Sequence, residues 1–169
     1  MSKADYFNHF PLINYWTADA VPVTIRHILP RTRVIKAIGT TSGDFVTYRI
    51  LDEETIESVS HKVYGDARWY WVIALYNDLV DVFEQWPVHS SGWAAMMQDK
   101  YPNQSYSTVH HYVDAEGFEV QVKYSPGALP VTILEYETAL NDALRVIKIP
   151  NKRYLAILEQ MLTDVMVDA

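Results

Sequence analysis

The stretch 44–78 constrains the fold of this chain more than any other segment. Apolar and polar residues alternate across residues 46–50, which predicts a strand with one buried face. Asp52 then stands where a helix N-cap is expected, and the apolar residues that follow recur at helical intervals. Gly65 is expected to end this helix in a left-handed conformation, and Asp66 to cap a second helix that is apolar on nearly every side. The stretch therefore predicts a strand, a helix, a tight turn and a buried helix.

Such a nucleus needs a second strand, and none follows residue 78 directly. The next suitable run is 144–150, an apolar strand pattern that Pro150 ends by removing a backbone donor. A strand, two short helices and a closing strand are similar to a LysM-like module, which pairs two antiparallel strands under two helices. The predicted fold class is α+β, with a LysM-like β-α-α-β core of 44–78 plus 144–150 and an insertion of residues 79–143 before the last strand.

Two ordered groups of residues resemble the LysM-like baseplate wedge protein of contractile-tailed bacteriophages. That family also places a hairpin-bearing insertion between the two groups and a helix after them. The resemblance covers most of residues 1–165 and is strongest in 45–101 and 135–165. The first group is Tyr64-Gly65, Tyr70-Trp71 and Asn77-Asp78, and the second is Tyr136-Glu137, Leu140-Asn141-Asp142 and Arg145-Val146-Ile147-Lys148.

An N-terminal arm, residues 1–43, precedes the core and is rich in large apolar side chains. Pro11 and Pro22 interrupt any long helix in it. Thr24 is expected to cap a short helical turn within 24–38. Because so many apolar groups are unfavourable in water, the arm either folds back onto its own core or docks on a partner.

The insertion is expected to hold a helix and a β-hairpin. Ser90 or Ser91 is expected to cap the helix, which runs to about residue 101. Residues 106–124 alternate around a turn at 114–117, which is typical of a hairpin. A strand at 131–135 and a short helix at 136–143 are expected to follow.

A C-terminal helix, residues 151–169, is predicted with Asn151 as its cap. Its apolar stripe is wider than one core contact needs, so either half of it covers the core and half meets a partner helix, or the whole stripe packs within the chain. The predicted partner-binding residues of the arm and this helix are Tyr6, Phe7, Phe10, Leu12, Tyr15, Trp16, Arg31, Arg33, Leu155, Leu158, Leu162 and Met166.

The charge of the chain is unevenly placed. Residues 1–43 carry a net charge of +3 and the remainder −10, for a total of −7. An acidic chain is a poor nucleic-acid binder, so no nucleic-acid partner is expected. The basic segment is interpreted as a solvated face or as a surface that docks on an acidic neighbour.

No catalytic, metal-binding or cofactor-binding arrangement is predicted, and the chain is not expected to be an enzyme. It has no cysteine and lacks the common metalloprotease, hydrolase and phosphate-loop motifs. His110 and His111 are adjacent on a predicted strand, so they are expected to point to opposite faces. No run reaches the ~18 apolar residues of a membrane span, and no membrane partner is expected.

The resemblance implies a structural component of a contractile-tail baseplate. It implies binding to neighbouring wedge subunits and hub-proximal tail proteins, with neighbouring copies in a six-fold assembly, in a virion assembled in the host cytoplasm. The alternative is a LysM-type module that binds peptidoglycan or chitin-like N-acetylglucosamine glycans through stacked aromatic residues. The aromatic residues considered for stacking are Trp69, Tyr70, Trp71, Trp86 and Trp93.

Overall fold

The computed structural model describes residues 5–27, 44–121 and 127–167. The described residues mix helices with strands, which confirms the α+β class. Within these ranges, short 3-10 turns occur at Tyr6–His9, Ala67–Trp69 and Lys152–Tyr154. The strands and helices, in chain order, are β1 (Leu12–Trp16), β2 (Pro22–Arg26), β3 (Phe45–Arg49), α1 (Ile56–Tyr64), α2 (Tyr70–Tyr76), α3 (Val82–Gln85), α4 (Ser90–Lys100), β4 (Val109–Val113), β5 (Glu119–Val120), β6 (Leu129–Thr132), α5 (Ile133–Leu144), β7 (Val146–Pro150) and α6 (Leu155–Val167).

The described chain forms two compact units that are interleaved in sequence. The first unit takes its residues from 1–50, 54–85 and 147–169, and the second from 51–53 and 86–146. The first unit therefore contains the described part of the arm, the predicted nucleus apart from residues 51–53, most of β7, and α6. The second contains α4, the β4–β6 sheet and α5.

Strands β3 and β7 pair across about a hundred residues of sequence, as predicted for the closing strand. The backbone N–H of Asn151 donates to the carbonyl of Asp44 at 2.9 Å. This bond joins the residue after β7 to the residue before β3, so the two strands run antiparallel. Tyr64 adds a link from the end of α1, because its hydroxyl donates to the carbonyl of Pro150 at 3.0 Å.

The turn between α1 and α2 is as predicted, but the N-cap of α1 is not. Thr55, and not Asp52, is the N-cap of α1, and its side chain accepts a hydrogen bond from the N–H of Ser58 at 3.2 Å. Gly65 is left-handed with φ of 83°, as predicted, and Asp66 caps the 3-10 turn that leads into α2. The predicted cap at Asp52 is wrong because the three consecutive acidic residues 52–54 and Thr55 all offer plausible helix starts, and local sequence does not distinguish among them.

Buried side chains of β7 and of the helices form the core of the first unit, whereas no residue of β3 itself is buried. This core is apolar, and its energetic contribution scales with the area removed from water. Its buried side chains include Ile50, Ile56, Val59, Tyr64, Trp71, Val72, Ile73, Ile147, Ile149, Leu155, Leu158 and Leu162.

The second unit packs α5 against a small antiparallel sheet in which β4 lies between β5 and β6. The pairing of β4 with β5 confirms the predicted hairpin next to its turn, and residues 122–124 of the predicted return strand lie outside the described residues. Helix α5 starts at Ile133, three residues earlier than predicted, so the expected strand at 131–135 is wrong beyond Thr132. The reason is a capping box, in which Thr132 and Glu135 exchange hydrogen bonds between side chain and backbone.

Two further predicted caps are wrong. Helix α4 begins at Ser90 with His89 as its N-cap, and the His89 side chain makes no capping hydrogen bond. The backbone N–H and hydroxyl of Ser90 instead donate to the carboxylate of Asp52. Thr24 lies within β2, where it pairs with Asn14, so it caps no helical turn. The rest of the helical turn predicted at 24–38 lies largely outside the described residues.

Candidate docking surfaces

The base of the N-terminal arm folds back onto the first unit. Phe10 is buried, and the ring of Tyr6 lies 5.9 Å from that of Trp71 on α2. His9 and Thr163 of α6 share a hydrogen bond of 3.1 Å between Nδ1 and Oγ1. For residues 5–10, the structure therefore shows intramolecular packing, one of the two alternatives that the sequence left open.

The arm then continues into the β1–β2 hairpin, whose base is held by Arg26. The guanidinium of Arg26 donates to the carbonyls of Phe7, Asn8 and Phe10 at 3.0–3.2 Å. These bonds fix the hairpin to the 3-10 turn at Tyr6–His9. The hairpin is thus attached firmly at one end, although every residue of β1 is exposed.

One face of the hairpin is apolar throughout. The strand register places Ile13 opposite Ile25 and Tyr15 opposite Val23. All four side chains are exposed, with 57% of Tyr15 and 42% of Val23 accessible to solvent. Cross-strand pairs of this kind stabilise a hairpin, but a two-stranded hairpin is only marginally stable on its own in water. We name these four residues the hairpin face.

The opposite side of the hairpin is mixed in character. Asn14 and Thr24 form a polar pair, with 3.1 Å between the Thr24 Oγ1 donor and the Asn14 Oδ1 acceptor. Leu12 and Trp16 flank this pair and are both exposed. Of the predicted arm residues, Phe7, Leu12, Tyr15 and Trp16 are therefore exposed, Tyr6 is half-buried, and Arg31 and Arg33 lie outside the described residues.

Three of the α6 residues that the sequence predicts to bind a partner are buried in this structure. Leu155, Leu158 and Leu162 are buried in the first unit, as Phe10 is, so these four side chains are core residues in this structure. Leu155, Leu158 and Leu162 lie on one face of α6, because residues three to four positions apart share a helix face. That face packs against the arm and the rest of the unit. Ile157 lies on another side and is 48% exposed. The side chain of Met166 lies outside the described part.

A polar cluster stabilises the second unit. Glu137 of α5 is buried, and its carboxylate accepts hydrogen bonds from Lys100 Nζ at 2.7 Å and from the Tyr101 hydroxyl at 2.5 Å. Burial raises the pKa of Glu137, but the bonds from Lys100 and Tyr101 and the lysine charge outweigh it, so the pKa lies below its usual range. The same bond to Glu137, with burial, raises the pKa of Tyr101 to about 12.

The two adjacent histidines are not on opposite faces, so that prediction is wrong. Their Nδ1 atoms lie 2.9 Å apart, and the His110 ring stacks on Tyr136 with 4.1 Å between centroids. The register of β4 shifts between Val109 and His111, and this irregularity breaks the regular alternation of side chains. Among the described residues, no group of three or more His, Cys, Asp or Glu side chains is placed to hold a metal ion.

The aromatic residues considered for sugar stacking do not form one exposed platform. Trp71 and Trp86 are buried, whereas Trp69, Tyr70 and Trp93 are half-buried. Trp93 lines an open groove of about 310 Å³ in the second unit. Helical spacing of the aromatic residues in α2 serves core packing, since Trp71 faces Tyr6, His9 and Trp69.

A comparison with models of protein families gives a match. A family model described as base plate wedge protein 53 matches residues 32–124, which is more than half of the chain. A search of curated proteins gives no match. In the described parts of the chain, none of the helices has both the length and the apolar character needed to cross a bilayer.

Proposed function

The chain belongs to the base plate wedge protein 53 family and is a structural component of a phage baseplate, and from that premise we propose that its N-terminal hairpin binds a neighbouring wedge subunit. The observation that carries this proposal is the hairpin face, which is apolar, exposed and held firmly at its base by Arg26. Burying such a face in a neighbour stabilises both partners through the hydrophobic effect.

The proposed contact surface is narrower than the one expected from the sequence. It consists of the hairpin face together with Phe7, Leu12 and Trp16, and it omits the buried Phe10, Leu155, Leu158 and Leu162. Arg31, Arg33 and Met166 stay in the proposal on sequence grounds alone. The net charge of +3 in residues 1–43 favours an acidic neighbour.

Residues 44–78 and 144–150 are proposed to form the core of a rigid LysM-like block, with 79–143 as the insertion. The pairing of β3 with β7 and the bond from Tyr64 to Pro150 support this assignment. Such a block would fix the position of one wedge relative to the next, because a rigid block does not deform between its contacts. We also propose that the protein helps to join wedges around the central hub in a six-fold assembly, and that this assembly takes place in the host cytoplasm.

Catalysis is not part of the proposed function, since the family is described by its place in the baseplate. Glycan binding is not carried forward either, because two of the tryptophans it would use are buried. It remains useful as a contrasting outcome in the experiment that follows.

The experiment compares two double variants in cells infected with the phage that encodes this protein. Tyr15→Thr with Val23→Thr removes apolar surface from the hairpin face while placing a residue of high β-strand propensity at both positions. Val109→Thr with Leu129→Thr is the control, because these strand residues of the second unit are exposed to a similar degree. Sedimentation of the lysate followed by mass spectrometry measures the ratio of each variant to other tail proteins in large particles.

The proposal predicts that the wild type and the control sediment with baseplates at a fixed ratio and that the hairpin variant stays in the light fractions. An unchanged urea midpoint would show that the hairpin variant remains folded. Normal incorporation of the hairpin variant would overturn the assignment of this face. A wild-type protein that sediments only as a small species, and pellets with added peptidoglycan, would overturn the scaffolding role.

A further inference from the structure

The turn after α2 exposes two apolar side chains almost completely. Val80 is 92% exposed and Phe83, on the short helix α3, is 97% exposed. An exposed apolar residue is common by itself, but two of them three positions apart on one ordered turn form a small apolar tip. We name Val80 and Phe83 the Phe83 knob.

The knob is held rigidly by hydrogen bonds from side chains of the same turn. Asp81 Oδ1 accepts from the N–H groups of Phe83 at 2.8 Å and Glu84 at 3.3 Å. Gln85 Oε1 accepts from the N–H groups of Val80 at 2.7 Å and Asp81 at 2.9 Å. Binding through a preorganised turn loses less conformational entropy than binding through a mobile loop.

The segment that carries the knob is acidic. Residues 77–86 contain Asp78, Asp81 and Glu84 and no Lys, Arg or His. This charge disfavours docking on an anionic lipid surface, which attracts basic segments. It favours an apolar pocket whose rim carries lysine or arginine, because complementary charges steer and orient an encounter.

We infer that the Phe83 knob inserts into an apolar pocket, rimmed by Lys or Arg, on a different protein of the baseplate. The inference rests on the proposed structural role and adds a second contact to that of the hairpin. Both contacts lie on the first unit. Aromatic residues, phenylalanine among them, are enriched in protein interfaces, whose buried core is surrounded by a polar rim.

Photocrosslinking in assembled particles tests the inference. The photoreactive residue p-benzoylphenylalanine replaces Phe83 in the full-length protein, and in a matched sample it replaces Phe118, an exposed phenylalanine of the second unit. Baseplates are purified by sedimentation, irradiated and analysed by mass spectrometry of the crosslinked peptides. Glu84→Lys tests the role of the acidic rim, with Glu116→Lys, in the exposed turn between β4 and β5, as its control.

The expected result is one dominant crosslink from position 83 to a peptide of another baseplate protein that contains apolar residues with Lys or Arg beside them. Position 118 is expected not to form that crosslink. Glu84→Lys is expected to lower its yield by about threefold or more, and Glu116→Lys to leave it unchanged.

Three outcomes would overturn the inference. A crosslink to another copy of this chain would identify a self-contact. A particle that contains the protein without any crosslink from position 83 would show that the knob is free. In both cases the structural role stands. Absence of the protein from the particles would overturn the inference together with the proposed function.

Discussion

The side-chain amide of Asn77 pairs with both backbone groups of Lys148. Its Nδ2 donates to the Lys148 carbonyl at 2.7 Å, and its Oδ1 accepts from the Lys148 N–H at 2.8 Å. Asn77 also donates to the carbonyl of Ile73 at 2.9 Å, so it holds the end of α2 and the outer edge of β7 at once. A side chain here takes the place of a neighbouring strand and closes an edge that is otherwise open to pairing.

Asn77→Asp is predicted to destabilise the protein by about 1–3 kcal/mol, because two carbonyl groups would then face a carboxylate instead of an amide donor. Asn77→Ala is expected to cost less, since water can reach this position. Urea denaturation followed by tryptophan fluorescence measures both changes. Asn103→Asp is the control, because it introduces the same charge at an exposed turn whose positive φ aspartate tolerates. Equal midpoints for Asn77→Asp and the control would contradict the prediction.

Tyr64→Phe is predicted to lower the free energy of unfolding by about 1–3 kcal/mol, since it leaves the Pro150 carbonyl without its buried donor. Burial raises the pKa of the Tyr64 phenol, so the hydroxyl stays protonated and able to donate at ordinary pH. Chemical denaturation of the variant gives the change directly. Tyr15→Phe removes a hydroxyl that is largely in water, and it should leave the midpoint where it is; a similar loss in both variants would argue against the Tyr64 bond.

Leu158→Ala is predicted to cost about 2–5 kcal/mol, whereas the neighbouring Ile157→Ala should change stability by about 0.5 kcal/mol. The reason is that Leu158 is only 4% exposed and Ile157 is 48% exposed. Thermal or urea denaturation of the isolated protein distinguishes the two. Comparable effects at both positions would mean that this face of α6 is not the packed one.

Glu137→Gln is predicted to reduce the dependence of stability on pH in the acidic range. The pKa of Glu137 is lower in the folded protein than in the unfolded chain, so its contribution is present above the unfolded pKa of about 4.3 and is lost as pH falls through the folded pKa. The difference in urea midpoint between wild type and variant should therefore shrink from pH 6 toward pH 3. Glu116→Gln, at an exposed turn, is the control, and a difference that stays constant with pH would contradict the prediction.

The local elements were largely predictable because their signals lie within a few residues. Gly65 in the left-handed region, Asp66 as a cap and the pairing of β7 with the nucleus all follow from patterns visible in the sequence. The errors were also local in origin. Thr55 displaced Asp52 as the cap of α1, and the Thr132–Glu135 capping box moved the start of α5.

The exposure of the apolar residues is harder to predict, because hydrophobicity does not determine which part of the protein or of a partner covers a side chain. Leu158 and Trp16 are both large and apolar, yet one is buried in the first unit and the other is exposed on the hairpin. Phe83 was not predicted as a surface residue. The acidic residues on either side of it were the available signal, since a charged neighbourhood is seldom buried.

The α+β class could be predicted from local patterns alone, because periodicity and turn residues act over short distances. The same patterns predict a nucleus at 44–78 and a distant closing strand. Packing in three dimensions determines which apolar residues form the core and which remain exposed. It also brought His110 and His111 together and placed Asn77 against Lys148. Those relationships depend on how elements far apart in sequence meet in space, and side-chain packing at such contacts is not encoded in any local pattern.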